Sequence, residues 1–309
     1  MAASKSKQAG SFTAAVRVVR ILLRPQNRGL VLTAVVIAAA IGSSLYAWRR
    51  WGAAAMQSAD YFVKPERMAV TPQPTWIHSN VKAEVMRSAS LGRLNLRDRN
   101  LVEQVAQAFA LHPWVAKVVR IEKRFPAQVN VELKYRRPVA VVKIDARGEQ
   151  GLLFVDEESV LLPSADFAPS QARSYLRIMA AGETPASVYG TPWGSERIAG
   201  AARVAAAWGN RWQPLGLYWI VAARSAGGEL LYELRTQDDK VHVVWGGVPG
   251  RDSSSEPSSE QKIAALEQYV HDKGPLDKSG GPAVIDLREL AGSADKTARR
   301  KAPPQGDHR

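Results

Sequence analysis

Cysteine is absent from all 309 residues. Its absence removes disulfide staples, thiolate metal sites and cysteine nucleophiles, and it is compatible with an oxidising compartment. Histidine is scarce: His78, His112, His242, His271 and His308 include no pair at i,i+3 or i,i+4, so a zinc motif cannot be assembled on one helix face. The chain also lacks G-x-S-x-G, GK[ST] and a G-x-G-x-x-G after a strand, which argues against nucleophile elbows and nucleotide loops. Acidic residues are missing from the first 50 positions, where eight Lys or Arg account for most of the net charge of +13. The basic excess is therefore mainly a tail, which fits a membrane flank better than a nucleic-acid surface.

What carboxylates there are do not suggest catalysis. Asp156, Glu157, Glu158, Asp238 and Asp239 fall at turns, where aspartate bonds local backbone, and read as solvated. The pair Arg136-Arg137 reads as a solvated strand end. Ser4-Lys5-Ser6-Lys7 and Lys278-Ser279-Gly280 imitate motifs of penicillin-binding enzymes, but the membrane segment described next separates them. Catalytic, cofactor and metal residues are thus expected to be none, with no small-molecule substrate and no nucleic acid as ligand.

Long charged gaps give the first positive feature. From Gly29 to Trp48 no charged residue occurs, and 20 positions at about 1.5 Å each span a hydrocarbon layer of roughly 30 Å. Leu30, Val31, Val35, Val36, Ile37, Ile41, Leu45, Tyr46 and Trp48 are the expected membrane anchor. Thr33, Ser43 and Ser44 are polar but able to bond their own helix backbone. Lys5, Lys7, Arg17, Arg20, Arg24 and Arg28 precede the segment and only Arg49 and Arg50 follow closely. The positive-inside rule then puts residues 1–28 in the cytoplasm and the bulk of the chain outside. A cleaved signal peptide ending at Ala53-Ala54-Ala55 is the competing reading; it is disfavoured because the apolar stretch exceeds a signal core and Arg49, Arg50 and Trp51 intervene.

Beyond the anchor, residues 49–74 contain Pro65, Pro72 and Pro74 and read as an extended linker. A folded α+β unit is expected over residues 75–139: a strand at Thr75-Trp76-Ile77, a helix capped by Asn80, and a helix from Asp98 or Asn100 whose stripe is Leu101, Val102, Val105, Ala106 and Phe109. Strands Val115 to Lys123 and Gln128 to Tyr135 follow, joined by the turn Arg124-Phe125-Pro126-Ala127, with Val129, Val131, Leu133 and Tyr135 on one face. A second, β-rich unit with two helices is expected over residues 140–290, and residues 291–309 have the composition of a disordered tail. Its helices are expected near Glu196 to Trp208 and after a Ser258/Gln261 capping box.

These residues carry a family resemblance. His112-Pro113-Trp114-Val115, Val118, Ile121, Phe125-Pro126, Val129, Val131 and Arg136 to Ala140 resemble the POTRA domain of the FtsQ/DivIB family of bacterial cell-division proteins. Tyr232-Glu233-Leu234, Trp245-Gly246, Pro249-Gly250 and Ile285-Asp286-Leu287-Arg288 are similar to its second domain. The resemblance implies a β-α-α-β-β POTRA unit followed by a mixed β domain, in a bitopic inner-membrane scaffold located at the septum. It also implies partners of the FtsB/FtsL type and a role in regulating septal peptidoglycan synthesis; the other reading is an envelope adaptor unconnected with division. Partner binding is expected at Ala283, Val284, Ile285, Asp286, Leu287 and Arg288, as a sheet edge open to strand addition. Ile285 and Leu287 equally fit core positions. Where the family adds a tyrosine and another strand after this run, Glu289 to Ser293 lead instead into a basic tail.

Overall fold

An apolar helix, α1 (Arg28–Ala47), opens the described part of the chain and passes into a π-helical turn at Trp48–Gly52. The computed structural model describes residues 28–52, 61–146, 149–180, 182–185, 188–250, 256–276 and 284–292; the basic tail before Arg28 and the segment after Gly292 lie outside them. By length and composition α1 and its extension are long and apolar enough to cross a bilayer, and none of the apolar window is covered by protein. Val35, Val36, Ile37, Ile41, Leu45, Tyr46 and Trp48 are all more than half exposed, unlike a core helix, which hides one face. Leu30 and Val31 lie in its first turn. Thr33 Oγ1 donates to the Gly29 carbonyl (2.9 Å) and Ser43 Oγ to that of Ala39 (2.6 Å), so these hydroxyls are satisfied inside the helix.

The rest is a mixed α+β structure. Its first part comprises β1 (Phe62–Val63), β2 (Met68–Val70), α2 (Val81–Ser88), β3 (Leu94–Asn95), α3 (Leu101–Ala110), β4 (Val115–Arg124) and β5 (Gln128–Tyr135). The Asn80 side chain caps α2 by accepting from Ala83 N–H at 2.9 Å. In α3 the fully buried residues are Leu101, Val105 and Phe109, four apart; Val102, expected inward, is 37% exposed because the narrow stripe leaves its azimuth to solvent. A three-stranded sheet runs β2-β5-β4, with β5 central, β2 parallel to it and β4 antiparallel. Val129, Val131 and Leu133 of β5 face the helices.

The first strand of this three-stranded sheet is Met68–Val70, not Thr75–Ile77, where Thr75-Trp76 form a turn. The prolines explain the shift. Pro72 and Pro74 break the strand after Thr71, whose N–H bonds the Val131 carbonyl (3.0 Å), and Trp76 instead sends its indole N–H to the Arg136 carbonyl (3.1 Å). The stretch 49–74, expected to be an extended linker, is therefore folded from Tyr61 onward, with β1 antiparallel to β3.

The second part is a seven-stranded sheet ordered β12-β11-β10-β9-β8-β6-β7. Its strands are β6 (Ala140–Ala146), β7 (Glu149–Val155), β8 (Leu176–Met179), β9 (Leu217–Arg224), β10 (Leu230–Thr236), β11 (His242–Gly246) and β12 (Val284–Asp286). Two helices, α4 (Glu196–Trp208) and α5 (Ser259–Lys273), pack on it, and the Ser258/Gln261 capping box forms as the spacing implies. Ile198, Ala202, Ala205 and Trp208 point into the core, where Trp208 meets Trp245 at 5.9 Å between centroids. Gly200 is required on α4: a Cβ there would lie 1.9 Å from the Tyr232 hydroxyl oxygen. Strand β8 has no sequence signature, because Leu176, Arg177 and Ile178 are all buried in mid-sheet and do not alternate.

The two parts share a core. Val141, Phe154, Leu162 and Ala172 of the second pack in the same cluster as α2, α3 and β5, and Phe154 stacks on Phe167 at 3.7 Å. At the seam the buried Asp166 accepts from the Trp114 indole (2.5 Å), the Ser79 N–H (2.6 Å) and the Ser79 hydroxyl (3.0 Å). Asp156 is likewise not a solvated turn carboxylate. It is 3% exposed and bonded to Arg136 at 2.6 Å, which makes Arg136 a junction residue rather than a solvated strand end.

Replacing Asp166 by alanine strands three donors, one of them fully buried, and should cost about 3 kcal/mol in chemical denaturation. A loss below about 0.5 kcal/mol, within the range of ordinary surface substitutions, would show that the seam is held by apolar packing alone.

Candidate functional site

The sheet ends at β12. This strand pairs in parallel with β11 (His242↔Val284, Val243↔Ile285, Val244↔Asp286), and among the described residues nothing pairs with its other side. Its N–H and C=O groups on that side form an open edge. The strand is shorter than the expected Ala283 to Leu287. Ala283 lies outside the described residues, and at Leu287 the backbone turns into a helical segment, residues 287–292.

The six expected partner residues divide by burial. Val284 is 60% exposed, Asp286 is half-buried and Arg288 exposed, whereas Ile285 (6%) and Leu287 (0%) belong to the core of the second part. Proline at Ile285 or Leu287 would damage that core as well as the edge, so neither position isolates the edge. The period of two explains the split: one face of so short a strand must seal the sheet, and only the alternate residues remain for a partner.

Charge pins the end of β12. The Arg288 side chain closes back on Asp286, with Nε to Oδ1 at 2.9 Å, and the Arg288 backbone N–H adds a 2.9 Å bond to the same oxygen. The Arg288 guanidinium holds the Asp286 carboxyl below the usual carboxylate range, and Asp286 in turn raises Arg288. Because the folded carboxyl has the lower pKa, the pair stabilises the edge at neutral pH and the contribution is lost as pH falls below about 4.

Beneath this lies a buried ion pair. Lys262 Nζ on α5 meets Glu256 Oε1 at 2.7 Å and sits 4.9 Å from the ring centre of Trp245 on β11. Glu256 also accepts from Gly247 N–H at 3.2 Å. Gly246, at φ +100°, has no space for a side chain, since a Cβ would lie 1.8 Å from Glu256 Oε1. The β11 end, α5 and Arg288 thus meet around one carboxylate. Beside them opens a polar groove of about 640 Å³, whose walls include Glu196, Arg203, Arg224, Glu229, Glu256 and Arg288.

Two other edges, β7 and β4, are less available. Strand β7 is partly covered, since Leu162 N–H bonds the Phe154 carbonyl (2.9 Å) and Val155 bridges to Leu161. Edge strand β4 carries Lys117, Arg120, Lys123 and Arg124 and two bulges, devices that discourage strand addition. His112 bonds Glu84 at 3.0 Å and His242 faces Glu233 on the adjacent strand. Among the described residues no group of three or more His, Asp or Glu is placed to hold a metal ion.

The ion pair, Asp166 and the seam around Arg136 are invisible to sequence periodicity: Asp166 meets Trp114 and Ser79 from 52 and 87 positions away, Arg136 meets Asp156 from 20, and Glu256 lies six residues from Lys262, off the helical i,i+3 and i,i+4 spacings.

No family model matches the chain. No curated protein matches it either.

Glu256→Ala should destabilise the second part by about 3 kcal/mol, because it leaves the Lys262 ammonium buried without a partner. The double variant Glu256→Gln, Lys262→Met should recover most of that loss in the same denaturation measurement. Equal losses in the single and double variants would mean that packing, not the charge pair, organises this corner.

Proposed function

We propose that the chain is a bitopic scaffold of the cytoplasmic membrane, with its N-terminus in the cytoplasm and its folded part outside, that captures division proteins of the FtsB/FtsL type. The observation that carries this reading is the open edge of β12: a terminal strand with an exposed Val284, fixed in place by the Asp286–Arg288 pair. Strand addition to such an edge supplies affinity through backbone bonds and selectivity through the alternate side chains. Partner chemistry follows from what is offered, namely an apolar contact at Val284 flanked by Asp286 and Arg288.

Several features support the family reading. The order of β2, α2, α3, β4 and β5 around a three-stranded sheet suits a POTRA unit, and its position shortly after a single apolar helix suits a membrane-proximal module. The basic flank before α1 favours a cytoplasmic N-terminus. In the FtsQ/DivIB pattern a further strand follows the Ile-Asp-Leu-Arg run; here residues 287–292 are helical, so the proposed partner strand pairs directly with β12. Holding these partners would let the scaffold regulate septal peptidoglycan synthesis without chemistry of its own.

A photocrosslinking residue at Val284 in the full-length protein should capture a small bitopic coiled-coil protein, whereas one at Leu152, on β7, should not. A fluorescent fusion should gather at midcell. Diffuse envelope fluorescence together with an adduct at Val284 would favour an adaptor outside division, and equal adducts at both positions would defeat the edge assignment.

A further inference from the structure

The chain enters its folded part at the same end that presents an exposed aromatic residue and a cluster of cations. Tyr61, the first described residue after the membrane helix, contacts Phe125 in the β4–β5 turn, with ring centres 5.7 Å apart. Phe125 is 69% exposed, although burial against any neighbouring element would remove that apolar surface from water. Arg97 lies over the other ring, 4.0 Å from the Tyr61 centroid. Lys123 reaches across from β4 to the carbonyls of Leu96 (3.2 Å) and Asp98 (2.5 Å), which ties the turn to the Arg97 loop. Arg124 and Arg99 are exposed beside them. Asp98 and Glu122 are the nearby carboxylates, and Glu122 is already shared between Arg120 (2.8 Å) and Arg124 (3.0 Å), so the cluster remains net positive.

Distance selects the occupant. Eight residues separate Gly52 from Tyr61, and even a fully extended chain of that length reaches only about 30 Å, comparable to the hydrocarbon thickness of one bilayer. The patch is therefore tethered within about 30 Å of whatever surface the helix emerges from. An exposed phenylalanine ringed by guanidinium and ammonium groups is the combination that seats in an anionic headgroup layer, the ring at the acyl boundary and the cations on phosphate.

We propose that Phe125 with Arg97, Lys123 and Arg124 forms a docking surface for anionic phospholipid headgroups on the outer face of the membrane crossed by α1. This rests on the transmembrane reading of α1. Docking would stand the first part on the bilayer and fix the height and orientation at which the β12 edge is displayed.

The absence of cysteine permits a direct test. The full chain, carrying a fluorophore on a single introduced cysteine, is reconstituted in phosphatidylcholine vesicles with and without phosphatidylglycerol, and quenching by headgroup-region nitroxide lipid is read. A label at Arg99→Cys, which leaves Phe125, Arg97, Lys123 and Arg124 in place, should be quenched several-fold more than one at Ala226→Cys, in the β9–β10 turn of the other sheet, and only when phosphatidylglycerol is present. Raising the salt, or Arg97→Glu with Arg124→Glu, should lower the docked-to-free ratio by more than about tenfold. Quenching at 99 no greater than at 226, while a Ser43→Cys label is quenched by deep nitroxide lipid, would overturn the docking surface but leave the anchor intact. An unquenched Ser43 label would overturn both.

Discussion

One buried carboxylate sits where the two halves of the folded chain meet. Asp166 collects the indole of Trp114 and both donors of Ser79; Trp114 immediately precedes β4, Ser79 precedes the cap of α2, and Asp166 itself lies in a 3-10 turn of the second half. A carboxylate taken out of water must find donors, and it finds them only when the halves are docked. Packing of Phe154, Phe167 and Tyr175 against the first core acts in the same sense. The helical unit and the seven-stranded sheet are thereby coupled, so the position of one constrains the other. These contacts link the seven-stranded sheet to the unit that follows α1.

At the far end of that frame a different balance applies. Ile285 of the terminal strand and Leu287 just after it close the core, and among the described residues nothing pairs with the strand's outer side. Such an edge invites aggregation if it is long and apolar; three residues followed at once by a helical segment limit that hazard while leaving a docking register. The Glu256–Lys262 pair and the crowded Gly246 fix the neighbouring strand end, so the edge is presented by a braced structure and not by a loop. Long β4, bulged and lined with cations, is guarded in the opposite manner.

Much of this was legible in advance where local rules act alone. The uncharged run of α1, the Asn80 and Ser258/Gln261 caps, the 3.6-residue stripes of α3 and α4, and the alternation of β5 all appear where their patterns place them. Errors arose where tertiary contacts overrode them. Met68–Val70 has no strong strand signal and is recruited by β5, Trp76 leaves its expected strand to bond Arg136, and β8 shows no alternation because Leu176, Arg177 and Ile178 are all buried, on both faces of the sheet. Asp156 and Arg136, both read as solvated, neutralise each other inside the seam.

The sequence by itself determined the apolar helix, its basic flank, the absence of cysteine chemistry and most of the element order, since these depend on composition and on periods of two and 3.6 residues. Only the tertiary structure decided which strand ends the sheet, which residues of the Ile-Asp-Leu-Arg run face solvent, and that Tyr61, Arg97 and Phe125 share one corner. Those facts depend on contacts between positions distant in the chain, and no local pattern encodes a contact whose other half lies elsewhere.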